Sequence, residues 1–513
     1  MLTKVYGSAV FGVEATTITV EVNTDIGVGY HLVGLPDNAI KESNYRIAAA
    51  LQNNGFKIPG KKITLNMAPA DLRKEGSAYD LTLAMGILVS TEQIEQKKNL
   101  SDYIIMGELS LDGSLQPIKG ALPIAIKALE ENFKGIILPK QNAKEAAIVS
   151  GLEVFGVSEI SEVIHFFHSE KPLEHTKVDI QAEFYQQLEN PEFDFADVKG
   201  QESIKRCMEI AAAGGHNIIL IGPPGSGKTM LAKRLPSILP PLNLEEALET
   251  TKIHSVVGRT LEKGGIMTSR PFRSPHHTIS DVALVGGGQY PQPGEISMAH
   301  NGVLFLDELP EFKRSVLEVM RQPLEDRDVT ISRARFTVTY PASFMLVASM
   351  NPSPGGYFND PEAPVVSSPQ EMQRYLSKIS GPLLDRIDIH IEVTPVPFNK
   401  LTEERSGEKS VVIRERVAKA RNIQSLRFQQ DDKTHYNAQM NVKQIRKYCV
   451  LDKASLDLLK NAMERLNLSA RAYDRILKVA RTIADLEASE NIQGAHISEA
   501  IQYRSLDREG WLG

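Results

Sequence analysis

Cysteine is nearly absent from this chain of 513 residues, which contains only Cys207 and Cys449. Such a low count excludes a disulfide scaffold and is typical of a reducing compartment, so we expect a cytoplasmic protein. No apolar run approaches the about 20 residues that a membrane helix requires, and the first residues lack the apolar core of a signal peptide. We therefore expect no association with a membrane.

An excess of positive charge is also lacking. The formal net charge of −6 argues against a generally basic nucleic-acid-binding protein. It does not exclude DNA held by a few Lys and Arg residues in a pore, because affinity follows local contacts with phosphates. The composition is that of an ordinary globular protein, with 42% apolar and 24% charged residues. A chain of this length predicts roughly three domains.

Three domains and a linker can be delimited along the chain. Residues 1–170 show strand and helix signals, including a hairpin signal with Asp-Gly at its turn in residues 108–116. The polar residues 171–194 follow as the predicted linker, and residues 195–397 form a second α/β domain. In residues 398–513 strand signals vanish and amphipathic helical segments remain. The predicted fold class is α/β with an all-α C-terminal lid.

The most informative motif is a glycine-rich loop between an apolar strand and a helix. Ile218–Ile221 predicts the strand, and residues 230–235, stopped by Pro236, predict the helix. Lys228 would reach the β- and γ-phosphates of ATP, and Thr229 would bind Mg²⁺. All the loop residues match a Walker A motif: Gly222, Pro223, Pro224, Gly225, Ser226, Gly227, Lys228 and Thr229.

A second apolar strand ends in two carboxylates, Asp307 and Glu308. The carboxyl ends of strands are where α/β sheets place their ligands. Asp307 would bind Mg²⁺, and Glu308 would orient and polarise the attacking water. An apolar run ending in Asp-Glu is also common as a plain strand exit, but after a Walker A motif it indicates ATP hydrolysis.

The segment between these motifs carries further specific patterns in residues 270–278, 286–288 and 293–300. Together with the two ATPase motifs, the chain resembles the Mg-chelatase-like AAA+ family, and more closely its YifB/ComM branch, over nearly its whole length. The resemblance implies an AAA+ P-loop NTPase core with a helix-2 insert. It also implies a pre-sensor-1 hairpin that projects toward the pore of a homo-hexameric ring.

By the same resemblance, Asn351 would be sensor 1 and would help to position water near the γ-phosphate. Arg386 looks like the arginine finger, which acts on the nucleotide of the neighbouring subunit and so implies a ring. The alternative for Arg386 is an intramolecular salt bridge with Asp385 or Asp388.

The lid contributes one more candidate. Arg471 resembles sensor 2, an arginine that reaches back to the phosphates. Arg475 lies one helical turn further on and is a rival for this role.

Residues 329–339 alternate as the strands of a β-ribbon do, and by the resemblance they form the pore hairpin. Arg333 and Arg335 would lie on one face of it, spaced to meet DNA phosphates. Charged residues on a solvated strand are the alternative.

Metal sites other than magnesium are not expected. Adjacent residues His276 and His277 would point in different directions, and a structural or nucleotide-coupling role is favoured over a metal site. Many relatives have a four-cysteine cluster after sensor 1 that would suit zinc. The matching positions in this chain are Ser353, Gly355, Val365 and Ser367, none of which has a thiol. We therefore predict no zinc.

The N-terminal domain resembles the domain found in Lon proteases and in the recombination protein RadA. Lon proteases use a Ser nucleophile activated by Lys. In this chain Ala78 and Leu122 occupy those positions, so we expect a non-proteolytic Lon-like domain. Ser77 and Lys119 lie nearby and leave a shifted dyad open.

The resemblance therefore implies an ATP-driven hexameric motor acting on single-stranded or branched DNA, promoting branch migration of recombination intermediates. The alternative is the ATPase subunit of a magnesium-chelatase-type complex, which normally starts directly with the AAA+ core. The domain formed by residues 1–170 discriminates between them. An AAA+ protease is a third class, disfavoured by the missing dyad.

Overall fold

The computed structural model describes residues 2–168, 172–179, 193–260, 265–288, 291–333, 336–354, 368–396, 407–431 and 434–504. The chain packs into two compact units. The first comprises Met1–Gln187 and Leu244–Thr268, and the second comprises Leu188–Asn243 and Ser269–Gly513. Both units contain α/β structure, and the described residues 410–502 are helical apart from their connections, which confirms the predicted mixed α/β class with a helical C-terminal region.

The first unit is built on a mixed seven-stranded sheet in the order β3-β4-β2-β1-β5-β8-β9. Alternate residues of β2 are buried, as expected for a sheet with one face on the core. A short β6–β7 pair forms the predicted hairpin. The strands are β1 Leu2–Phe11, β2 Glu14–Asp25, β3 Gly29–Val33, β4 Lys62–Ala68, β5 Tyr103–Ile105, β6 Glu108–Leu109, β7 Leu115–Gln116, β8 Gly135–Pro139 and β9 Glu153–Val157.

Helices cover this sheet, and one of them, Asp80–Ser90, is buried along its whole length because nearly all its residues are apolar or small. In chain order the helices before the second unit are α1 Asn38–Asn53, α2 Asp80–Ser90, α3 Ala121–Glu130, α4 Lys140–Ala146 and α5 Ile160–His168.

The second unit is built on five parallel strands in the order β11-β14-β17-β10-β18. Three central strands, β10, β14 and β17, are buried at every residue, which explains why all their residues except Ser349 are apolar. The strands are β10 Ile218–Ile221, β11 Phe272–Arg273, β12 Gly286–Gly287, β13 Gln292–Pro293, β14 Val303–Leu306, β15 Asp328–Arg333, β16 Phe336–Pro341, β17 Met345–Met350 and β18 Ile389–Glu392.

Two antiparallel pairs lie outside this sheet. Strands β12 and β13 form a short ribbon, and β15 pairs with β16 in the predicted hairpin, with Arg333 opposite Phe336 at its end.

The remaining helices, in chain order, are α6 Glu202–Gly214, α7 Lys228–Ile238, α8 Leu244–Val257, α9 Asp281–Val285, α10 Glu295–Met298, α11 Arg314–Glu318, α12 Arg321–Asp326, α13 Pro369–Leu376, α14 Gly381–Leu384, α15 Ser410–Arg427, α16 Val442–Tyr448, α17 Lys453–Arg465, α18 Ala470–Leu486 and α19 Gly494–Gln502. The expected stop at Pro236 is wrong, since α7 continues to Ile238. Pro236 falls in the last turn, where its missing N–H costs at most one helical hydrogen bond.

Helix α8 follows α7 in sequence but belongs to the first unit. The N–H of Gly120 donates to the carbonyl of Ser255 at 3.0 Å. The buried Glu145 carboxylate accepts from the Ser255 hydroxyl, from Thr260 Oγ1 at 2.8 Å and from the N–H of Leu122 at 2.9 Å. These bonds fix α8 and the residues that follow it as far as Thr260 on α3 and α4. No pattern in the sequence predicts this arrangement.

We expect Glu145→Ala to loosen α8, because the substitution leaves three donors without their buried acceptor. A loss of about 2–3 kcal/mol in the free energy of opening is expected for such unsatisfied groups. Hydrogen–deuterium exchange of Leu244–Val257 measures it, with the exposed neighbour Lys144→Ala as a control. Equal exchange rates in the two variants would contradict the assignment.

Candidate nucleotide-binding site

The glycine-rich loop leaves the carboxyl end of β10 and enters α7, as predicted. Gly227 has φ +90°, a conformation that side chains disfavour. At Gly222 a Cβ would lie 2.2 Å from the carbonyl oxygen of Val393, so only glycine fits there. The backbone of the loop is thus shaped by its glycines into the cradle that a phosphate group requires.

Lys228 is buried beneath this loop. Its ammonium donates to the carbonyls of Gly222 at 2.6 Å and Pro223 at 2.9 Å, and to Asn351 Oδ1 at 3.3 Å. Burial lowers the pKa of Lys228, while the Asp307 and Glu308 carboxylates act in the opposite direction. The structure therefore brings the predicted Walker A lysine and sensor 1 into direct contact.

The predicted magnesium ligands also meet. The Thr229 hydroxyl donates to Asp307 Oδ2 at 2.7 Å. The other oxygen, Oδ1, accepts from the buried Ser349 hydroxyl and from the N–H of Glu308 at 3.1 Å. An oxygen-only donor set with one carboxylate and one hydroxyl fits Mg²⁺, which takes its remaining ligands from water and phosphate.

Glu308 follows in a left-handed conformation with φ +54°. Its N–H also lies 3.3 Å from Ser349 Oγ. Its carboxylate remains largely exposed, and Oε2 lies 3.4 Å from His277 Nδ1. A general base needs such access to a water molecule. The sequence left the role of His277 open, and the structure places it beside the predicted catalytic carboxylate.

Two polar residues at the site were missed in the sequence. Ser349 holds Asp307, as described above. The Gln201 amide donates to the carbonyls of Ser226 at 3.1 Å and Thr394 at 3.0 Å, which ties the phosphate loop to the end of β18. Gly200 and Gln201 both have left-handed backbone conformations just before α6. The glycine at this position is the local sequence signal that could have pointed to Gln201.

Arg386 lies at the opposite end of the sheet from the phosphate loop. Its carbonyl accepts from the Asn217 side chain at 2.9 Å, just before β10 begins, whereas the loop starts where β10 ends. A strand of this length spans about 13 Å. The Arg386 guanidinium pairs with Glu325 and the carbonyl of Pro382, not with the predicted alternatives, Asp385 and Asp388.

Arg471 and Arg475, the two sensor 2 candidates, also face the segment around Arg386. Arg471 forms an ion pair with Asp385, and Arg475 lies 2.8 Å from Asp388. The sensor 2 assignment stays a prediction, and within the described residues neither arginine is hydrogen-bonded to the phosphate loop.

Arg333 is exposed near the end of the hairpin, where its Nε lies 3.4 Å from the carbonyl of Gly288. Arg335 lies outside the described residues. The positions matching the zinc cluster of relatives are described only at Ser353, which is buried, while Gly355, Val365 and Ser367 lie outside.

In the part of the chain that the structure describes, no group of three or more His, Cys, Asp or Glu side chains is placed to hold a metal ion. Over the same ranges, no helix is both long and apolar enough to cross a membrane.

Ser77 and Lys119, the candidate shifted dyad of the first unit, each contact other residues. The Ser77 hydroxyl donates to the Glu108 carboxylate. The aliphatic part of Lys119 packs against Gly258, where a Cβ would lie 3.3 Å from it. In the part of the chain that the structure describes, Ser77 and Lys119 form no hydrogen bond with each other.

Ser349→Ala tests the magnesium site. Loss of its hydrogen bond should raise the Mg²⁺ concentration for half-maximal ATP hydrolysis about tenfold, because a bond to a charged acceptor contributes about 1.5 kcal/mol or more. Ser297→Ala is the matched control, since this buried hydroxyl has no hydrogen-bond partner among the described residues. An identical Mg²⁺ dependence in both variants would show that Ser349 does not hold Asp307.

Comparison with family profiles assigns most of the chain. The family described as magnesium chelatase, subunit ChlI, matches residues 194–401. Residues 20–142 match subunit ChlI of Mg-chelatase, and residues 407–504 match the magnesium chelatase subunit ChlI C-terminal family.

Relatives that align with nearly the whole chain indicate the branch of this family to which it belongs. The uncharacterized protein YifB of Salmonella typhimurium is 44% identical over 512 residues, covering 99% of this chain and 98% of its own. Competence protein ComM of Haemophilus influenzae is 44% identical over 510 residues with the same coverage. The magnesium-chelatase 38 kDa subunit of Cereibacter sphaeroides is 23% identical over 182 residues, which cover 32% of this chain and 54% of that subunit. This chain therefore belongs to the YifB/ComM family of Mg-chelatase-like proteins.

Proposed function

We propose that this protein is a cytoplasmic AAA+ ATPase that assembles as a homo-hexamer and acts on branched DNA, promoting branch migration. The observation that carries the ATPase activity is the convergence of Lys228, Thr229, Asp307 and Asn351 at one end of a parallel sheet. Membership of a Mg-chelatase-like family supports the same conclusion.

Each residue at this site would have a separate role in ATP hydrolysis. The loop N–H groups and Lys228 would bind the phosphates of ATP, and Thr229 with Asp307 would hold Mg²⁺, which neutralises charge developing on the phosphates. Glu308 would orient and polarise the attacking water, and Asn351 would fix that water against the γ-phosphate.

Ring assembly is supported by the position of Arg386. Because the sheet separates this residue from the phosphate loop of its own chain, its guanidinium would act on the ATP of a neighbouring subunit. Heterologous contacts of this kind form a ring when the rotation between neighbouring subunits closes. Arg471 and Arg475 lie on the same side and would act with Arg386 on that neighbouring nucleotide.

DNA as the target is supported by two observations. Arg333 is exposed on a hairpin that forms its own two-stranded sheet, where its guanidinium could contact phosphates. A full-length relative carries the name competence protein, whereas the alignment with the magnesium-chelatase 38 kDa subunit of Cereibacter sphaeroides covers 32% of this chain. A non-proteolytic, Lon-like role of the N-terminal domain in assembly or DNA contact is part of the same proposal.

The ATPase subunit of a metal chelatase is the second candidate. It is favoured by the profile match of residues 20–142, since that profile is itself described as a chelatase subunit.

The test is ATP hydrolysis by the purified protein with and without a synthetic four-way DNA junction. We expect the junction to stimulate turnover and ATP to drive its branch migration, and Glu308→Gln to abolish both while ATP still binds. Turnover indifferent to every DNA structure would contradict the proposal and favour the chelatase-type reading.

The affinity of the protein for the same junction, measured at several salt concentrations, locates the DNA contact. Arg333→Ala should weaken junction binding and reduce the slope of log affinity against log salt by about one unit, because one phosphate contact is lost. Arg446→Ala removes an exposed positive charge from α16 and is the matched control. Equal slopes in the two variants would place the DNA elsewhere.

A further inference from the structure

The short segment that carries Arg386 is bound to the two residues that precede β10. The Asn217 side chain donates to the carbonyl of Arg386 at 2.9 Å, and the Asn217 carbonyl accepts from the N–H groups of Asp388 at 2.9 Å and Ile389 at 3.1 Å. His216 adds a side-chain contact, since its Nδ1 lies 3.0 Å from Asp388 Oδ2. Backbone and side-chain bonds together therefore fix this segment to the start of β10.

The contact between His216 and Asp388 lies in the interior, where their side chains are 0% and 2% exposed. Burial would raise the pKa of Asp388, but Arg475 and the bond from His216 hold that pKa well below its usual value. The carboxylate is therefore ionised, and because it can only accept hydrogen bonds, His216 Nδ1 donates to it. A buried carboxylate depends on each of its partners, since none of them can be replaced by bulk water.

The other ring nitrogen of His216 is bound to helix α18. Its Nε2 lies 2.8 Å from Thr482 Oγ1, which also accepts from Asn437 Nδ2 at 3.1 Å. From the same helix, Arg475 Nη1 lies 2.8 Å from Asp388 Oδ1. The imidazole therefore connects the segment that carries Arg386 to α18 as well as to β10.

The guanidinium of Arg386 depends on this backbone for the position from which it can reach a nucleotide. It pairs with Glu325, an exposed carboxylate, and with the carbonyl of Pro382. A long side chain with an exposed partner can change its direction, whereas the backbone beneath it is held by buried bonds. A shift of about 1 Å in that backbone would misplace the charge at the phosphate that it must stabilise.

We propose that His216 is a positioning residue for Arg386 and acts through Asp388. This inference rests on the proposed function, in which Arg386 completes the ATP site of a neighbouring subunit. The imidazole holds the Asp388 carboxylate, and with it the backbone of Arg386, between β10 and α18. Without the Nδ1 donor the carboxylate keeps its pairing with Arg475 and moves toward it, so the guanidinium of Arg386 reaches out from a displaced backbone.

His216→Leu tests this role, because leucine fills most of the space of the imidazole and removes the donor. We expect the kcat of ATP hydrolysis to fall at least about tenfold, since a misplacement of about 1 Å can cost about a hundredfold. The KM for ATP should stay within about twofold, because no residue of the phosphate loop is changed. His216→Asn, whose amide can still donate to Asp388, should recover most of the lost turnover.

His390→Leu is the matched control for this substitution. His390 is a buried imidazole on β18, and neither of its ring nitrogens has a side-chain hydrogen-bond partner among the described residues. Its replacement should leave kcat within about twofold of the wild-type value. An equal fall in kcat in His390→Leu and His216→Leu would show a general effect of core substitution and would overturn the inference.

Mixed rings distinguish a displaced Arg386 from a damaged ATP site. His216→Leu chains keep their phosphate loop, and Lys228→Ala chains keep a correctly placed Arg386. Together they should regain up to about a quarter of wild-type turnover, the share of interfaces that pair an intact site with an intact arginine. His216→Leu mixed with Arg386→Ala should regain nothing, because neither chain supplies that arginine. Equal recovery in the two mixtures would overturn the inference.

A further mixture and a double variant separate this inference from the proposed function. If Arg386→Ala mixed with Lys228→Ala regains no turnover, the proposed role of Arg386 at a neighbouring subunit fails. His216→Leu and Arg386→Ala are then combined in one chain. Turnover no lower than in Arg386→Ala alone would support the inference that His216 acts through Arg386. A further fall of about tenfold would overturn it.

Discussion

The parallel pairing of β10 with β18 is the constraint on which the site depends. Ile218 lies opposite Ile389 and Ile221 opposite Glu392, so the chain enters both strands at one edge of the sheet and leaves at the other. Residues that follow the strands, such as Lys228, gather at the carboxyl edge, and Arg386, which precedes β18, is held at the amino edge. One chain thus presents the candidate nucleotide site at one end of the sheet and Arg386 at the other.

Much of this arrangement could be predicted from sequence, because motifs at strand ends obey simple geometry. Largely apolar runs identified β10, β14 and β17, and the polar residues that follow them had to meet at one edge. The contacts of Lys228 with Asn351 and of Thr229 with Asp307 follow from that geometry.

Contacts made by loops and insertions could not be predicted in this way. The partner of Arg386 is Glu325, which is distant in sequence, and the roles of Ser349 and Gln201 depend on backbone positions that no pattern reveals. Helix α8 has a helical sequence, but only the buried Glu145 and its three donors show that it belongs to the first unit. Because α8 follows α7 in the chain, the helix that begins at Lys228 is covalently continuous with a segment of the other unit.

We propose that each ATP site is completed by the Arg386 of another chain, and mixed rings test this proposal most directly. Lys228→Ala chains would keep the finger but not bind ATP, and Arg386→Ala chains would bind ATP without a finger. Co-expressed with separate affinity tags and purified together, they should regain up to about a quarter of wild-type ATP turnover, since that share of interfaces in a random ring pairs an intact site with an intact finger. Turnover in the mixture no higher than in the separate variants, or wild-type turnover in Arg386→Ala alone, would contradict the account.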